Sequence, residues 1–516
     1  MKKSLLLAVL ILALGSVIPA QERPVKTLTL SDVIDQVLKN NLDLQIEMSN
    51  PEIAGALWSK SKAIFIPQLA LNFNSASTST PSSTIFTGAD VEKADSGSLS
   101  LTLSQKLLTG GNLDVVLDNS RNSTNSRFSQ INPRYNSMLR FNLTQPLLKN
   151  FGLTATKRSI IIARNNRDRS LFVLKQRVID LIYQAEEAYW NLVHSHQNLA
   201  VKEKSLQLAK DLLKQNEVQV KVGVSAPMDI LTAQAEVAAR EGEVLQARSL
   251  IQAYEENLRR ILNISQAPED IIPQDTPEFR PRPTDFNDFL ETALEQRPDI
   301  EQVRLELNSK NIDVRYFRNQ SLPNLQLTAS YYTRGLSGTP QDVDFDLLPS
   351  GSNSGSIGGN LSDSLRDALK RLYENYTIGL QLSIPLVNTS ARADLLQARL
   401  SLEQSLLTLK KVESTIYSEV KQIIMDLETN AKIVDATRIS RELADQKLAA
   451  EQKKLAVGLS TNYQVLQYQR DFANAQIAEL KSLIDYNLAL SRVDKVLGVT
   501  LETHHVEFSG FLDEKK

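Results

Sequence analysis

The residues that ordinarily carry chemistry are scarce in this 516-residue chain. There is no cysteine, which excludes disulfides, thiolate metal sites, a cysteine nucleophile and a lipid-modified N-terminal cysteine. Of the four histidines, His194 and His196 sit two apart, on different faces of any helix, and His504 and His505 fall in a polar tail. No Ser/His/Asp set, no carboxylate pair in a recognisable context and no phosphate-cradling glycine loop stands out. The expectation is a protein that is not an enzyme and holds no cofactor or metal. Lys+Arg 58 against Asp+Glu 60 leaves a net charge of -2, without the basic excess of a nucleic-acid binder. Stability must therefore come from packing or assembly.

Residues 1–20 read as a secretory signal peptide: Lys2 and Lys3 open it, an apolar run covers Leu5 to Leu14, and small residues precede Gln21. The apolar core is too short to span a bilayer, and no later stretch approaches 18 uninterrupted apolar residues. An exported chain of this kind enters a membrane only as a β-barrel.

The halves repeat. LSDVIDQVLKNNLDL around Asp32 aligns with FNDFLETALEQRPDI, which brings Asp288, Leu294 and Asp299 under Asp32, Leu38 and Asp43. Pro67-Gln-Leu falls on Pro323-Asn-Leu, and VGVSAPMDILTAQAEVAARE from Val222 falls on VGLSTNYQVLQYQRDFANAQ from Val457. Such self-similarity predicts an internally duplicated fold: a first repeat over 21–263, a linker over 264–284, a second repeat over 285–498 and a tail over 499–516.

Each copy carries alternating runs of transmembrane-strand length. Tyr376, Ile378, Leu380, Leu382, Ile384 and Leu386 occupy every second position, as do Leu325, Leu327, Ala329 and Tyr331; Leu69, Leu71 and Phe73; and Leu139, Phe141 and Leu143. Strands are expected at about 67–77, 138–147, 323–333 and 376–386. The Ser/Thr/Gly/Asn-rich stretches from Asn74 and from Ser337 read as long exposed loops. The first copy has surplus chain over 98–120, with Leu99, Leu101, Leu103 and Leu113, Val115, Leu117 joined around Gly110-Gly111, so four or six strands per chain remain open. Neither number closes a membrane barrel, whose smallest members use eight, so copies must combine.

Proline-free stretches from about Thr154 to Val222 and Ser390 to Val457, rich in Leu, Ala, Gln, Glu, Lys and Arg, predict two very long helices. Leu395, Leu402, Leu409, Ile416 and Ile423 recur at sevens, the spacing of supercoiled packing. Shorter helices are expected over about 41–63, 228–263, 299–320 and 462–498, with Pro51 marking a kink or a restart capped by Asn50. Turns at 222–227 and 457–462 end the long helices: Gly223 and Gly458 suit left-handed closure, Ser225 and Ser460 are placed to cap the returning helices, and Pro227 fits a first turn. By themselves these are hairpin corners.

Taken together, the paired N-N-x-D-L and R-P-D-I helix starts, the P-x-L strand entries at Pro67 and Pro323, the Q-P-L-L and I-P-L-V strand ends at Pro146 and Pro385, and the V-G-[VL]-S turns resemble the TolC family of outer-membrane efflux proteins over nearly the whole mature chain. The resemblance implies coiled-coil hairpins plus transmembrane β-strands: a homotrimer whose α-barrel in the periplasm is continuous with a shared barrel in the outer membrane. It implies export of small molecules or proteins alongside a periplasmic adaptor and an inner-membrane pump of the RND, ABC or MFS class. By position it assigns adaptor contact to Val222, Gly223, Val224, Ser225, Val457, Gly458, Leu459 and Ser460. The aspartates that ring the tunnel entrance in some members correspond to Gln464 and Gln467, which would not titrate. Asp229 matches a family carboxylate that locks neighbouring hairpins, whose basic partner is replaced here by Ser460. A periplasmic coiled-coil adaptor or scaffold is the alternative; it would share the hairpins and lack the strand runs.

Overall fold

The structure, a computed structural model, describes residues 25–83, 88–223, 226–264, 270–341 and 357–508. The expected signal peptide and the turn residues Val224 and Ser225 lie outside these. The chain divides into two compact units, one of residues 1–50, 172–301 and 411–516, the other of residues 51–171 and 302–410.

In the first unit, β1 (Val25–Leu28) pairs in parallel with β6 (Asp270–Pro273). Helix α1 (Leu30–Asn40) starts at a reciprocal cap, in which Thr29 accepts from the Asp32 backbone N–H and Asp32 accepts from that of Thr29. Val33, Ile34 and Val37 of α1 join Leu174, Val178, Ile179, Ile182, Tyr189 and Leu192 in the main core. The last group belongs to the long helix α3 (Leu153–Lys221), which is followed by α4 (Pro227–Leu262). The second half contributes α5 (Phe286–Gln296), the long α8 (Thr389–Ala456) and α9 (Asn462–Leu497). In α8, Ile416 and Ile423 of the heptad series are buried, as are Val420, Leu427 and Val434, a second set spaced by sevens. A short α10 (Thr500–Thr503) leads to His504, whose Nε2 lies 3.0 Å from Oε1 of the buried Glu186. His504 is thus half-buried against Glu186, not part of a loose polar tail.

Helix α2 (Leu42–Lys62) runs unbroken through Pro51, so the helix does not restart there with Asn50 as its cap. A proline forfeits one backbone hydrogen bond, and the bonded turns on either side carry the helix across it.

In the second unit, β2 (Gln68–Pro81), β3 (Val91–Lys106), β4 (Asn112–Thr124), β5 (Ile131–Pro146), β7 (Asn324–Pro340) and β8 (Tyr373–Ser383) form one antiparallel sheet in that order. Among the described residues the sheet has six strands, the larger of the two numbers left open by the sequence. The surplus segment forms β3 and β4, joined by a turn in which Leu107 N–H donates to Gly111 O at 2.8 Å and Gly110 takes a φ of 98°. The Ser/Thr-rich run from Asn74, expected as a long loop, is mostly strand: β2 continues to Pro81 and β3 resumes at Val91. Hydrophilic side chains do not prevent strand pairing where neighbouring strands satisfy the backbone. Helix α6 (Pro298–Gln320) enters β7, and a short helix α7 (Leu361–Leu369), not expected from the sequence, precedes β8.

Candidate functional site: the two-faced sheet and the hairpin turns

Alternation along each strand sorts the sheet into two faces. Across one face the ladder matches Leu71 with Leu101, Leu101 with Leu117 and Leu117 with Leu139. It continues through Phe141 with Tyr331 and Tyr331 with Tyr376. Leu69, Phe73, Leu103, Val115, Leu143, Leu327 and Leu380 complete the same band. The opposite face is polar: Ser104 donates to Asp114 at 2.6 Å, Ser330 donates to Asn142 at 2.9 Å, and Arg140 and Arg334 both stack on Tyr332. The apolar band is not covered along the edges. Phe73 on β2 is 76% exposed, and Tyr376 and Ile378 on β8 are 80% and 70% exposed.

Those two strands are the sheet margins. Among the described residues, β2 pairs with β3 alone and β8 with β7 alone. Each therefore has a row of backbone donors and acceptors facing outward, a state that bilayer interiors do not tolerate. The first strand leaves the helical end of the sheet and the last returns to it, so the two margins run in opposite directions. Margins of opposite direction pair in the antiparallel sense when set side by side.

The hairpin turns are built by backbone closure. Leu459 N–H donates to Lys454 O at 2.8 Å and Gly458 N–H to Leu455 O at 3.0 Å, with Gly458 at a φ of 75°. This double closure uses the left-handed residue that ends many helices. Gly223 has a φ of 78° and donates to Val220 O at 3.1 Å. No atom crowds the position of a β-carbon on either glycine, so backbone conformation is the reason for glycine at both.

The capping serines are a correction. The residue capping α9 is Thr461, whose side chain accepts from Gln464 N–H, while Ser460 donates to Glu451 Oε1 at 2.6 Å. The Ser460 hydroxyl and the nearby Lys454 ammonium hold the Glu451 carboxyl below its usual range. At the first turn the cap position is Ala226, which has no side-chain acceptor, and Pro227 occupies the first helical position. Asp229 lies in that first turn, and its carbonyl accepts from Asn216 at 3.5 Å. Gln464 is exposed, and Gln467 donates to Asp471 at 3.1 Å. A carboxylate therefore stands one helical turn beyond the amides.

A buried polar cluster behind the turns was missed by reading the sequence. Arg240 of α4 is 3% exposed; it donates to Ser205 O and Oγ at 2.7 and 2.9 Å, to Glu236 Oε1 at 3.0 Å and to Leu466 O at 3.3 Å. Arg470 of α9 closes on the other oxygen of Glu236 at 2.6 Å. Burial by itself would raise the Glu236 carboxyl, but hydrogen bonds from Arg470 and Arg240 outweigh it and hold it low. Beside this cluster Leu212, Leu448, Val465 and Leu466 pack together, so α3, α8 and α9 share one small core. The only sequence signal was the i, i+4 spacing of Glu236 and Arg240.

The family profile described as outer membrane efflux protein matches residues 113–263 and 289–499. The chain belongs to that family. It is the TolC-type group whose motifs the residues resemble. The chain is 22% identical over 324 residues to the alkaline protease secretion protein AprF of Pseudomonas aeruginosa, a match spanning 62% of this chain and 62% of that relative's length. Among solved structures, the CmeC outer membrane channel of Campylobacter jejuni superimposes with a TM-score of 0.63 at 17% identity, over 94% of this chain and 90% of that one. The open state of the MtrE outer membrane channel of Neisseria gonorrhoeae gives 0.61 at 16% identity, over 92% and 89%. At these identities the likeness is one of fold.

Proposed function

We propose that three copies of this chain close one barrel in the outer membrane and serve as a passive, non-catalytic conduit. In this reading each β8 pairs with the β2 of its neighbour, and three six-stranded sheets make a ring of eighteen strands. A ring of that size encloses an aqueous channel. The observation that carries the proposal is the apolar face running across all six strands to two unpaired, exposed margins. Such a face needs lipid, and such margins need strand partners. Exposed leucines on α8, Leu396, Leu400 and Leu407, suit contact between neighbouring helices of the same assembly.

The helical hairpins then extend into the periplasm. Their turns at Val222, Gly223, Val224 and Ser225 and at Val457, Gly458, Leu459 and Ser460 meet a periplasmic adaptor coupled to an inner-membrane pump, with Asp229, Gln464 and Gln467 near the entrance. The succession of helices, strands, long helix and returning helix recurs in each half of the chain, which supports an origin by duplication. The likeness to a protease secretion protein keeps proteins beside small molecules as cargo.

Membrane fractionation tests the reading. An oligomer in outer-membrane extracts whose gel mobility changes on heating supports the conduit. A soluble monomer supports a periplasmic scaffold instead.

A further inference from the structure

Helix α7 lies on the sheet face that carries the apolar band, immediately beyond its aromatic end. Four residues from Phe141 on β5 and two from Tyr331 on β7, the positions on this face change to Ser137, Thr333, Gly335 and Ser337, and all four are buried. They are small and hydrophilic because a helix covers them. Ser137 and Ser364 share a hydroxyl hydrogen bond of 2.8 Å, Thr333 donates to Ala368 O at 2.7 Å, and Ser337 donates to Asn360 O at 2.6 Å. The carbonyl of Ser364 fills the space that a β-carbon on Gly335 would need. Such an approach requires glycine.

The rest of the helix surface is divided. At about 100° per residue, Ser364 and Ala368 point to the sheet, and Leu361, Leu365 and Leu369 form a neighbouring stripe; Leu372 follows the helix end, after a left-handed Arg371. Asp363, Arg366, Asp367 and Lys370 fall on the far side. Among the described residues, Leu361, Leu369 and Leu372 are 42%, 60% and 57% exposed. The Arg371 guanidinium sits over the Tyr331 ring at 6.0 Å, at the margin between band and helix.

We propose that α7 and Leu372 form a membrane-surface anchor, with the leucine stripe seated among the acyl chains of the outer leaflet and the charged side in the headgroup layer. The occupant is lipid because the stripe continues the apolar face of the sheet, and because charged and apolar residues are segregated as in helices that lie in the bilayer interface. The inference rests on the sheet spanning the bilayer.

The absence of cysteine permits a direct test. Nitroxide labels at Leu369→Cys, Leu372→Cys, Lys370→Cys and Leu380→Cys are compared in vesicles of phosphatidylethanolamine and phosphatidylglycerol, by relaxation with lipid-soluble oxygen and a water-soluble nickel chelate. The labels at 369 and 372 are expected to show an oxygen-to-nickel ratio several-fold above that at 370 and below that at 380. Gly335→Val, which dislodges the helix, lowers the ratio at 369 and leaves that at 380 unchanged. Water exposure at 369 and 372 with lipid exposure at 380 overturns the anchor alone. Water exposure at 380 overturns the spanning sheet as well.

Discussion

Glu236 of α4 and Arg470 of α9 meet at 2.6 Å, and through Glu236 the contact reaches the buried guanidinium of Arg240. This carboxylate, together with the Arg240 bond to Leu466 O, joins two helices from different halves of the sequence.

Removing Arg240 leaves Glu236 with a single partner and takes a charged donor from the Ser205 hydroxyl. Breaking a buried charge pair costs about 3 to 5 kcal/mol, so Arg240→Met is expected to lower the thermal midpoint clearly. Arg470 is half exposed, and Arg470→Ala should cost no more than about 1 kcal/mol. Melting curves in detergent that rank the two variants in the opposite order would contradict this account of the cluster.

If the hairpin turns take part in opening, loosening the same cluster also changes conduction. Arg470→Ala, which leaves the fold largely intact, is expected to raise single-channel conductance in planar bilayers. Unchanged conductance would remove the cluster from any role at the entrance.

The His504–Glu186 pair gives a pH dependence of defined sign. Burial by itself would lower the imidazole pKa, but the hydrogen bond to Glu186 and the charges of Glu186 and Asp494 raise it above its ordinary value. The stabilisation is then full below the unfolded imidazole pKa of about 6.5 and disappears as pH rises through the raised folded value. Protection factors over 500–506, in which the base-catalysed rise of intrinsic exchange is divided out, should be high in mild acid and fall as pH rises through the raised imidazole value. In His504→Gln that dependence should vanish, and a wild-type profile in the variant would refute the assignment.

Gly223 and Gly458 need a left-handed backbone but have open space around them. Replacing both with valine strains the turns by roughly 1 to 2 kcal/mol each without touching the sheet. Export is expected to fall while assembled oligomers still reach the membrane, as read by compound accumulation and heat-modified gel mobility. Normal efflux from the double variant would count against these turns as docking points.

Much of this architecture was readable from local pattern. The alternation at Tyr376 to Leu382 and the long proline-free runs coincide with β8, α3 and α8 because those segments follow their own periodicity. Other features depended on partners distant in sequence. The serine-rich part of β2 is strand because β3 supplies its hydrogen bonds, and Pro51 sits within a helix that the turns around it sustain. Thr461 rather than Ser460 caps α9, since the serine hydroxyl is drawn to Glu451. The Arg240 cluster and the seat of α7 on Gly335 arise only when chain segments far apart are folded together.

The central claim is that the two sheet margins complete each other between copies. Pairs of cysteines, one among Ala70, Asn72 and Asn74 and one among Thr377, Gly379 and Gln381, sample the registers that such a junction can take. Disulfides form only where backbones lie within about 7 Å. On mild oxidation in outer membranes, at least one register should yield covalent dimers and trimers and no larger species. Chains that remain monomeric at every register, in membranes where the protein is folded, would contradict the shared ring.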